Sequence, residues 1–263
     1  MKNPNSAQLP RLAAQAKALF DAGRFAEAEK LYQELSRLQP KAPEPLLLLG
    51  ICQARGSAPD TALRTYRKLL KRHPGYAPAR LNLGNTLWQT GQLEKAADCF
   101  RQCIAREPGF FQAYAQLARL LAARDAKAEA RPVLAAAAKV AAAGDLHTLA
   151  ELQQQTGDRD GAIETLSGLA ARTPASAAVL SNLGSLYAEK KRIKEAGEAF
   201  GKAIKLPDAN AHMFLNAVQA FALNDDLEAA MQSAQEGLRR FPHSAASQLS
   251  MALALVLQGD LAQ

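Results

Sequence analysis

The sequence predicts an all-α protein built as a solenoid of stacked two-helix repeats. Prolines recur at intervals of 34 residues in the first part of the chain and at 33 and 35 in the last part, at Pro40, Pro74 and Pro108 and then at Pro174, Pro207 and Pro242. A fixed period of this length indicates repeats that cannot bury their apolar faces alone and therefore stack. Two further sets of positions, one of small residues and one of turn glycines, keep the same register.

The two helices of each repeat are predicted from columns of small residues. In the second helix an alanine lies twelve residues before the proline and a bulky residue lies eight before it, as with Ala96 and Phe100. In the first helix a leucine precedes a small residue, as with Leu83 and Gly84. Small residues on two facing helices, flanked by bulky apolar residues at i+3 and i+4, favour close antiparallel packing.

The turn between the two helices is predicted from glycine. The positions where the first helix must end hold Gly23, Gly56, Gly91, Gly157 and Gly259. Glycine adopts left-handed backbone at the least cost, which is typical of a helix terminus. Each closing proline then follows the second helix, where its missing N–H does least harm.

These columns resemble the tetratricopeptide repeat family. The best match is the set Leu83, Gly84, Leu87, Gly91, Ala96, Phe100 and Pro108. The resemblance covers residues 9 to 259 and implies a right-handed superhelical solenoid of helix-turn-helix repeats.

About seven repeats and a partial eighth are expected within a solenoid spanning residues 9–263. Their expected ranges are 9–42, 43–76, 77–110, 111–142, 143–176, 177–210 and 211–244, with the partial repeat at 245–263. Residues 1–8 are expected to be disordered or loosely ordered. In the fourth repeat, Pro132 predicts a kink or a shifted start of the second helix near residues 130–133. The alanine-rich run 135–143 supplies little apolar bulk, so it predicts the weakest joint of the stack.

Charge favours an acidic protein or peptide as the partner. The net charge is +7, and residues 1–131 carry 21 basic and 11 acidic side chains whereas residues 132–263 carry 11 and 14. No aromatic residues are interleaved with the basic clusters as stacking platforms would be, so no nucleic acid is expected. There is no apolar run of about 18 residues and no secretory signal in Met1 to Pro10, so no membrane association is expected and the protein is expected to be cytoplasmic.

Enzymatic chemistry has little support in the sequence. The histidines His73, His147, His212 and His243 fall in different repeats and are expected to have no partner at i+3 or i+4. Nucleophile, phosphate-binding and dinucleotide motifs are absent from the sequence. Cys52 and Cys103 fall in packing columns and are expected to be buried thiols. No catalytic residue, cofactor or metal is therefore expected.

The resemblance implies that the first helices line a concave groove that binds a peptide. The side chains that it places in this groove are Leu47, Ile51, Asn82, Asn85, Trp88, Gln116, Arg119, Asn182 and Asn216. Asn82, Asn182 and Asn216 occupy equivalent slots and resemble the asparagine ladder of O-GlcNAc-transferase-type repeats. An asparagine amide both donates to and accepts from a peptide backbone, so it holds an extended chain without selecting its sequence.

Alternatives remain open at this stage. Gln116 and Thr148 interrupt the asparagine column, and asparagine is common in the family at that slot, which leaves a structural role open. Leu47, Ile51 and Trp88 either seat a hydrophobic anchor or are covered by a neighbouring helix.

The sequence leaves two interpretations open for the function of the chain and two for what covers its last helix. The leading hypothesis is a non-catalytic scaffold that binds a peptide or partner segment in the groove. The alternative is a substrate-presenting N-terminal region of a larger glycosyl- or sulfotransferase whose catalytic domain lies beyond residue 263. The apolar helix around Leu253 and Val256 is expected to be covered by a continuing chain or by a subunit contact, and the sequence leaves the oligomeric state open.

Overall fold

The computed structural model describes the backbone of residues 5–172 and 176–260 and the side chains of residues 8–171 and 176–259. Within these ranges the chain forms fifteen α-helices and one short 3₁₀ helix, without a strand. It divides into two compact bodies, an N-terminal body that ends at Val140 and a C-terminal body that begins at Ala141. This division falls inside the alanine-rich run 135–143. The predicted all-α repeat architecture is confirmed, and the number of helix pairs agrees roughly with the predicted count.

The N-terminal body consists of four helix pairs in sequence order. They are α1 (Asn5–Asp21) and α2 (Phe25–Leu38), α3 (Pro43–Arg55) and α4 (Pro59–Arg72), α5 (Ala77–Gln89) and α6 (Leu93–Arg106), and α7 (Phe111–Ala123) and α8 (Lys127–Val140). Each helix contacts the next one along the chain, so apolar residues of successive pairs merge into a shared core.

The C-terminal body consists of three helix pairs and one further helix. The 3₁₀ helix (Ala143–Asp145) precedes α9 (Leu146–Gln155) and α10 (Arg159–Arg172), α11 (Ala177–Glu189) and α12 (Ile193–Ala203), α13 (Ala211–Leu223) and α14 (Leu227–Arg240), and α15 (Ala245–Asp260). Helix α15 packs against both helices of the preceding pair, α13 and α14.

In three repeats the predicted small residue of the first helix, Gly50, Gly84 or Gly184, gives room to a ring of the second helix. A Cβ added to Gly84 would lie 2.5 Å from Cε1 of Phe100, and one added to Gly184 would lie 2.9 Å from Cδ1 of Phe200. Phe100 is fully buried and Phe200 nearly so. The rings therefore press directly on the backbone of the facing helix, which explains why the small and bulky columns stay in register.

The left-handed residue of each helix-helix turn follows the repeat period. Positive φ angles occur at Gly23, Ser57, Gly91, Asp125, Gly157, Lys191 and Asp225. The prediction that Gly56 holds this slot is wrong, because Gly56 has φ −82° and the next residue, Ser57, has φ 67°. The prediction of a turn at Gly259 is also wrong, because Gly259 lies inside α15.

Exchanging glycine and side-chain residues at this slot is expected to have opposite effects. Ser57→Gly should raise the free energy of unfolding by about 0.5 to 1 kcal/mol, because left-handed backbone costs serine energy that glycine does not incur. Gly91→Ala should lower it by about 1 kcal/mol for the same reason. Urea unfolding followed by circular dichroism measures both. A change of the same sign for the two variants would contradict the assignment of one common slot.

One further expectation about the repeats needs correction. Helix α8 begins at Lys127, which is 34 residues after the start of α6 at Leu93, and it continues through Pro132, so a shifted start is wrong. Helix α1 begins at Asn5, and the expectation that residues 1–8 are loosely ordered stays a prediction. Pro174 lies outside the described residues.

The loops that join successive pairs are tied by a side chain six residues after the proline. Arg80 donates from Nη2 to the Pro74 carbonyl at 2.9 Å, and the Tyr114 hydroxyl donates to the Pro108 carbonyl at 3.0 Å. Because these carbonyls follow the end of a second helix, the bonds satisfy backbone groups that the helix leaves free. Arg80 is 7% exposed and is therefore a structural cation.

Candidate functional site

The apolar site residues predicted in the N-terminal body are half-buried. Leu47, Ile51 and Trp88 each pack against the core of this body while keeping part of their surface in solvent. Part of each side chain therefore contributes to the fold, and the remainder is apolar surface in contact with solvent.

The polar site residues of the same body differ in how many of their side-chain donors and acceptors are already bonded within the protein. Asn82 donates from Nδ2 to the Pro78 carbonyl of its own helix at 2.8 Å. Within the described part of the chain, the side chains of Asn85, Gln116 and Arg119 form no hydrogen bond or ion pair. Arg119 is exposed, whereas Asn85 and Gln116 are half-buried. Asn82 thus keeps its Oδ1 acceptor and one of its two Nδ2 N–H donors for a ligand, and the other three side chains keep their full capacity.

In the C-terminal body, Asn182 and Asn216 line two adjoining cavities. Asn216 lines a cavity of about 250 Å³ and Asn182 lines one of about 170 Å³. The cavities share Ser185 and Glu189, so they meet on the surface of α11. We call the surface formed by Asn182, Ser185, Glu189, Asn216 and Gln219 the amide face.

The amide face is formed by polar side chains, and only some of them form hydrogen bonds within the protein. The Asn182 and Asn216 amides form no hydrogen bond with the described residues. Ser185 donates from Oγ to the Ser181 carbonyl at 3.1 Å. Glu189 accepts from Nε of Arg159 at 2.5 Å, which fixes a carboxylate beside the smaller cavity. Two free amides are therefore held next to a positioned carboxylate.

One cavity was missed by the sequence analysis. It lies between α1, α2 and α3, has a volume of about 540 Å³, and is lined mainly by apolar side chains, including Phe20, Tyr32 and Leu48. Lys17 and Asp21, which form an ion pair with each other, also line it. The small residues Ala13 and Ala42 in its wall are a signal in the sequence that could have indicated this space.

The cysteines are placed for packing. Cys52 and Cys103 are fully buried, as predicted, and desolvation raises the pKa of both thiols to about 11. Cys103 donates from Sγ to the Ala77 carbonyl at 3.7 Å. Buried neutral thiols of this kind are poor nucleophiles at neutral pH.

One expectation about the histidines is wrong. His147 has a partner at i+4, because its Nε2 lies 3.1 Å from Oε1 of Glu151. Both side chains are about half exposed, which is typical of a surface helix pair. Among the described residues, no group of three or more His, Cys, Asp and Glu side chains is arranged to hold a metal ion.

None of the helices found in residues 5–172 and 176–260 has the length and apolar content that crossing a bilayer requires.

Known proteins with similar sequences are repeat proteins or much longer chains. Cellulose synthase operon protein C of Pseudomonas fluorescens is 28% identical over 89% of this chain and 19% of its own length. Tetratricopeptide repeat protein 6 of Homo sapiens is 23% identical over 60% of this chain and 31% of its own length. The chain thus spans about a fifth to a third of the curated relatives that it matches.

Solved structures with a similar fold are also repeat proteins. The C-terminal part of a TPR repeat-containing protein from Cytophaga hutchinsonii superimposes with a TM-score of 0.67 at 14% identity, covering 90% of this chain and 98% of that one. YrrB, described as a TPR protein with an unusual peptide-binding site, gives a TM-score of 0.53 at 16% identity, covering 70% of this chain and 96% of that one.

A family model described as tetratricopeptide repeat matches residues 13–77, 81–145 and 147–212. These matches include most of the chain, and they coincide with the helix pairs and the glycine-ring contacts found in the structure. The chain belongs to the tetratricopeptide repeat family.

Proposed function

We propose that the chain is a non-catalytic scaffold whose C-terminal body binds an extended peptide on the amide face. The tetratricopeptide repeat fold supports a protein-interaction scaffold in general. The observation that carries the more specific proposal is the pair of free amides, Asn182 and Asn216, lining adjoining cavities that share Ser185 and Glu189.

The chemistry of this surface suits a peptide backbone. Each asparagine amide offers donors and an acceptor, which match the C=O and N–H groups of an extended chain. Cavities of about 250 and 170 Å³ have room for side chains rather than for a drug-sized ligand. The Glu189 carboxylate is paired with Arg159, which also lines the smaller cavity, so this ion pair offers the peptide both an acceptor and a donor without adding net charge.

In the N-terminal body the same proposal assigns binding to apolar contacts. The cavity of about 540 Å³ beside Phe20, Tyr32 and Leu48 accommodates an apolar side chain of the partner. The half-buried surface of Leu47, Ile51 and Trp88 extends the apolar area on α3 and α5, and Gln116 and Arg119 on α7 provide polar contacts. YrrB, whose fold is similar, is described as having a peptide-binding site, which supports peptide recognition by this class of fold.

The proposal is tested by removing the two amides. Peptides are selected with the purified chain from a displayed library of random peptides, and the best one is titrated by fluorescence anisotropy. Asn182→Ala with Asn216→Ala is expected to weaken its binding about tenfold or more, because each lost hydrogen bond is worth about 0.5 to 1.5 kcal/mol. Gln232→Ala with Gln235→Ala, which removes two exposed amides from α14, should leave the affinity unchanged.

Equal affinity of the wild type and the Asn182/Asn216 variant would rule out the amide face. Cleavage or modification of the selected peptide by the purified chain would contradict the non-catalytic role. The alternative, presentation of a substrate to a transferase domain, stays a prediction.

A further inference from the structure

Helix α4 has a sharply divided surface. Its apolar residues Leu63, Tyr66 and Leu69 are buried against the N-terminal body. Its other side is exposed and carries a row of cations, which we call the basic stripe: Arg64, Arg67, Lys68, Lys71 and Arg72. The spacing i, i+3, i+4, i+7 and i+8 places all five on one face of the helix.

The basic stripe is unusual among the second helices of this chain. Helix α4 has five basic residues and one acidic residue, a balance of +4. Helix α2 has two basic and three acidic residues, α6 has three and two, and α14 has two and two. The charge of α4 is therefore a local property and does not follow from the repeat pattern.

Counter-charges are also missing from the stripe. The corresponding regions of two other second helices contain arginine-carboxylate pairs three residues apart, namely Arg101 with Asp98 on α6 and Arg239 with Glu236 on α14. In the described part of the chain, no cation of the stripe lies within 4.0 Å of a carboxylate. Arg64 donates to the Thr61 hydroxyl at 3.0 Å instead.

Unpaired cations in this arrangement repel one another. The Cβ atoms of residues at i+3 and i+4 are about 5 to 6 Å apart on a helix. This separation is less than the Debye length of about 8 Å at physiological ionic strength. Salt therefore screens the repulsion only in part. A bound polyanion replaces the repulsion with attraction, which gives the surface a preference for negatively charged partners.

We propose that the basic stripe binds an acidic polypeptide segment, a run of consecutive aspartate or glutamate residues. From Arg64 to Arg72 the stripe spans nine residues of helix, and the eight steps of 1.5 Å between them make it about 12 Å long. An extended peptide advances about 3.3 Å per residue, so about four residues of the partner lie along it. This site is separate from the amide face and does not depend on the proposed function of that face.

Other polyanions fit the stripe less well. Single-stranded nucleic acid is held by exposed aromatic platforms, but Tyr66 of α4 is 1% exposed and Phe100 of α6 is fully buried. An amphipathic helix that lies on a membrane inserts apolar side chains between lipids, whereas Leu63 and Leu69 face the protein core. Between Arg64 and Arg72 the exposed residues of α4 are all cations, which matches a flexible row of carboxylates.

The test uses the whole chain and fluorescein-labelled octaglutamate in fluorescence anisotropy titrations. Binding is expected at about 50 mM NaCl and should be largely lost at about 500 mM. Lys68→Glu with Lys71→Glu should weaken binding about tenfold or more. Lys194→Glu with Lys202→Glu on α12 changes the net charge by the same amount and should change the affinity less than about twofold.

The proposal is overturned if both charge-reversal variants lose the same affinity, because binding would then follow the net charge alone. It is also overturned if the chain prefers a thymidine octamer, or vesicles of phosphatidylcholine with about 30% phosphatidylserine, over octaglutamate. The Lys68/Lys71 variant should still bind the peptide selected for the amide face. Its circular dichroism melting curve verifies that the charge reversals leave the fold intact.

Discussion

Phe100→Ala is expected to lower the free energy of unfolding by about 3 to 5 kcal/mol. Phe100 is fully buried in the core of the N-terminal body, and its ring presses on α5 at Gly84. Removing the ring leaves a cavity that the facing backbone cannot fill, because both helices are also held by the pairs on either side. Urea unfolding followed by circular dichroism measures the loss.

The same contact predicts a change of sign at Gly84. In the wild type, Gly84→Ala should be destabilising, because its Cβ would lie 2.5 Å from the Phe100 ring. In the Phe100→Ala background it should be stabilising by about 1 kcal/mol, because alanine favours helix over glycine and the space is then free. Gly168→Ala is the control, since Gly168 is exposed on α10 with nothing within 4 Å of an added Cβ.

Gly168→Ala should therefore be stabilising by about 1 kcal/mol in both backgrounds. If Gly84→Ala stabilised the wild type as much as Gly168→Ala does, the ring contact would not explain the glycine column. The double-mutant cycle of Gly84→Ala and Phe100→Ala thus measures the free energy of the contact between residue 84 and the Phe100 ring separately from helix propensity.

The repeat period predicted the parts of the fold that depend on identical contacts. The small and bulky columns were correct because Gly84 with Phe100 and Gly184 with Phe200 make the same contact in two repeats. In the second repeat the left-handed turn position was assigned to Gly56 because it is a glycine, although the 34-residue spacing points to Ser57. Ser57 lies 34 residues after Gly23 and 34 before Gly91, so the period alone identifies it.

The candidate site was less predictable because it depends on local bonds and on distances between helices. Asn82 and Asn182 occupy equivalent slots, but Asn82 donates to the Pro78 carbonyl whereas Asn182 lines a cavity with its amide free. A hydrogen bond from a polar side chain to the carbonyl four residues earlier competes with ligand binding. The residue type at a repeat position does not show whether this bond forms. The apolar cavity beside Phe20 depends on the separation of α1 and α3, which sequence patterns do not report.

Arg240 shows a second feature that the repeat pattern does not predict, the closing of a helix end by a side chain from a later repeat. Helix α12 ends at Ala203, and the carbonyls that follow have no partner within the helix. Arg240 donates from Nη1 to the Ile204 carbonyl at 2.8 Å and from Nη2 to the Leu206 carbonyl at 3.3 Å. Its guanidinium carbon also lies 5.3 Å from the centroid of the Phe214 ring.

Arg240→Lys is therefore expected to lower the free energy of unfolding by about 2 kcal/mol, although it conserves the charge. Lysine lacks the planar fork that reaches two carbonyls at once, and it stacks less well on an aromatic ring. Arg239→Lys is the matched control, because Arg239 is exposed and its ion pair with Glu236 lies in solvent, so no measurable change is expected. Equal unfolding midpoints in urea for Arg240→Lys and Arg239→Lys would contradict this role, since the two substitutions are chemically identical and only Arg240 bonds to the end of another helix.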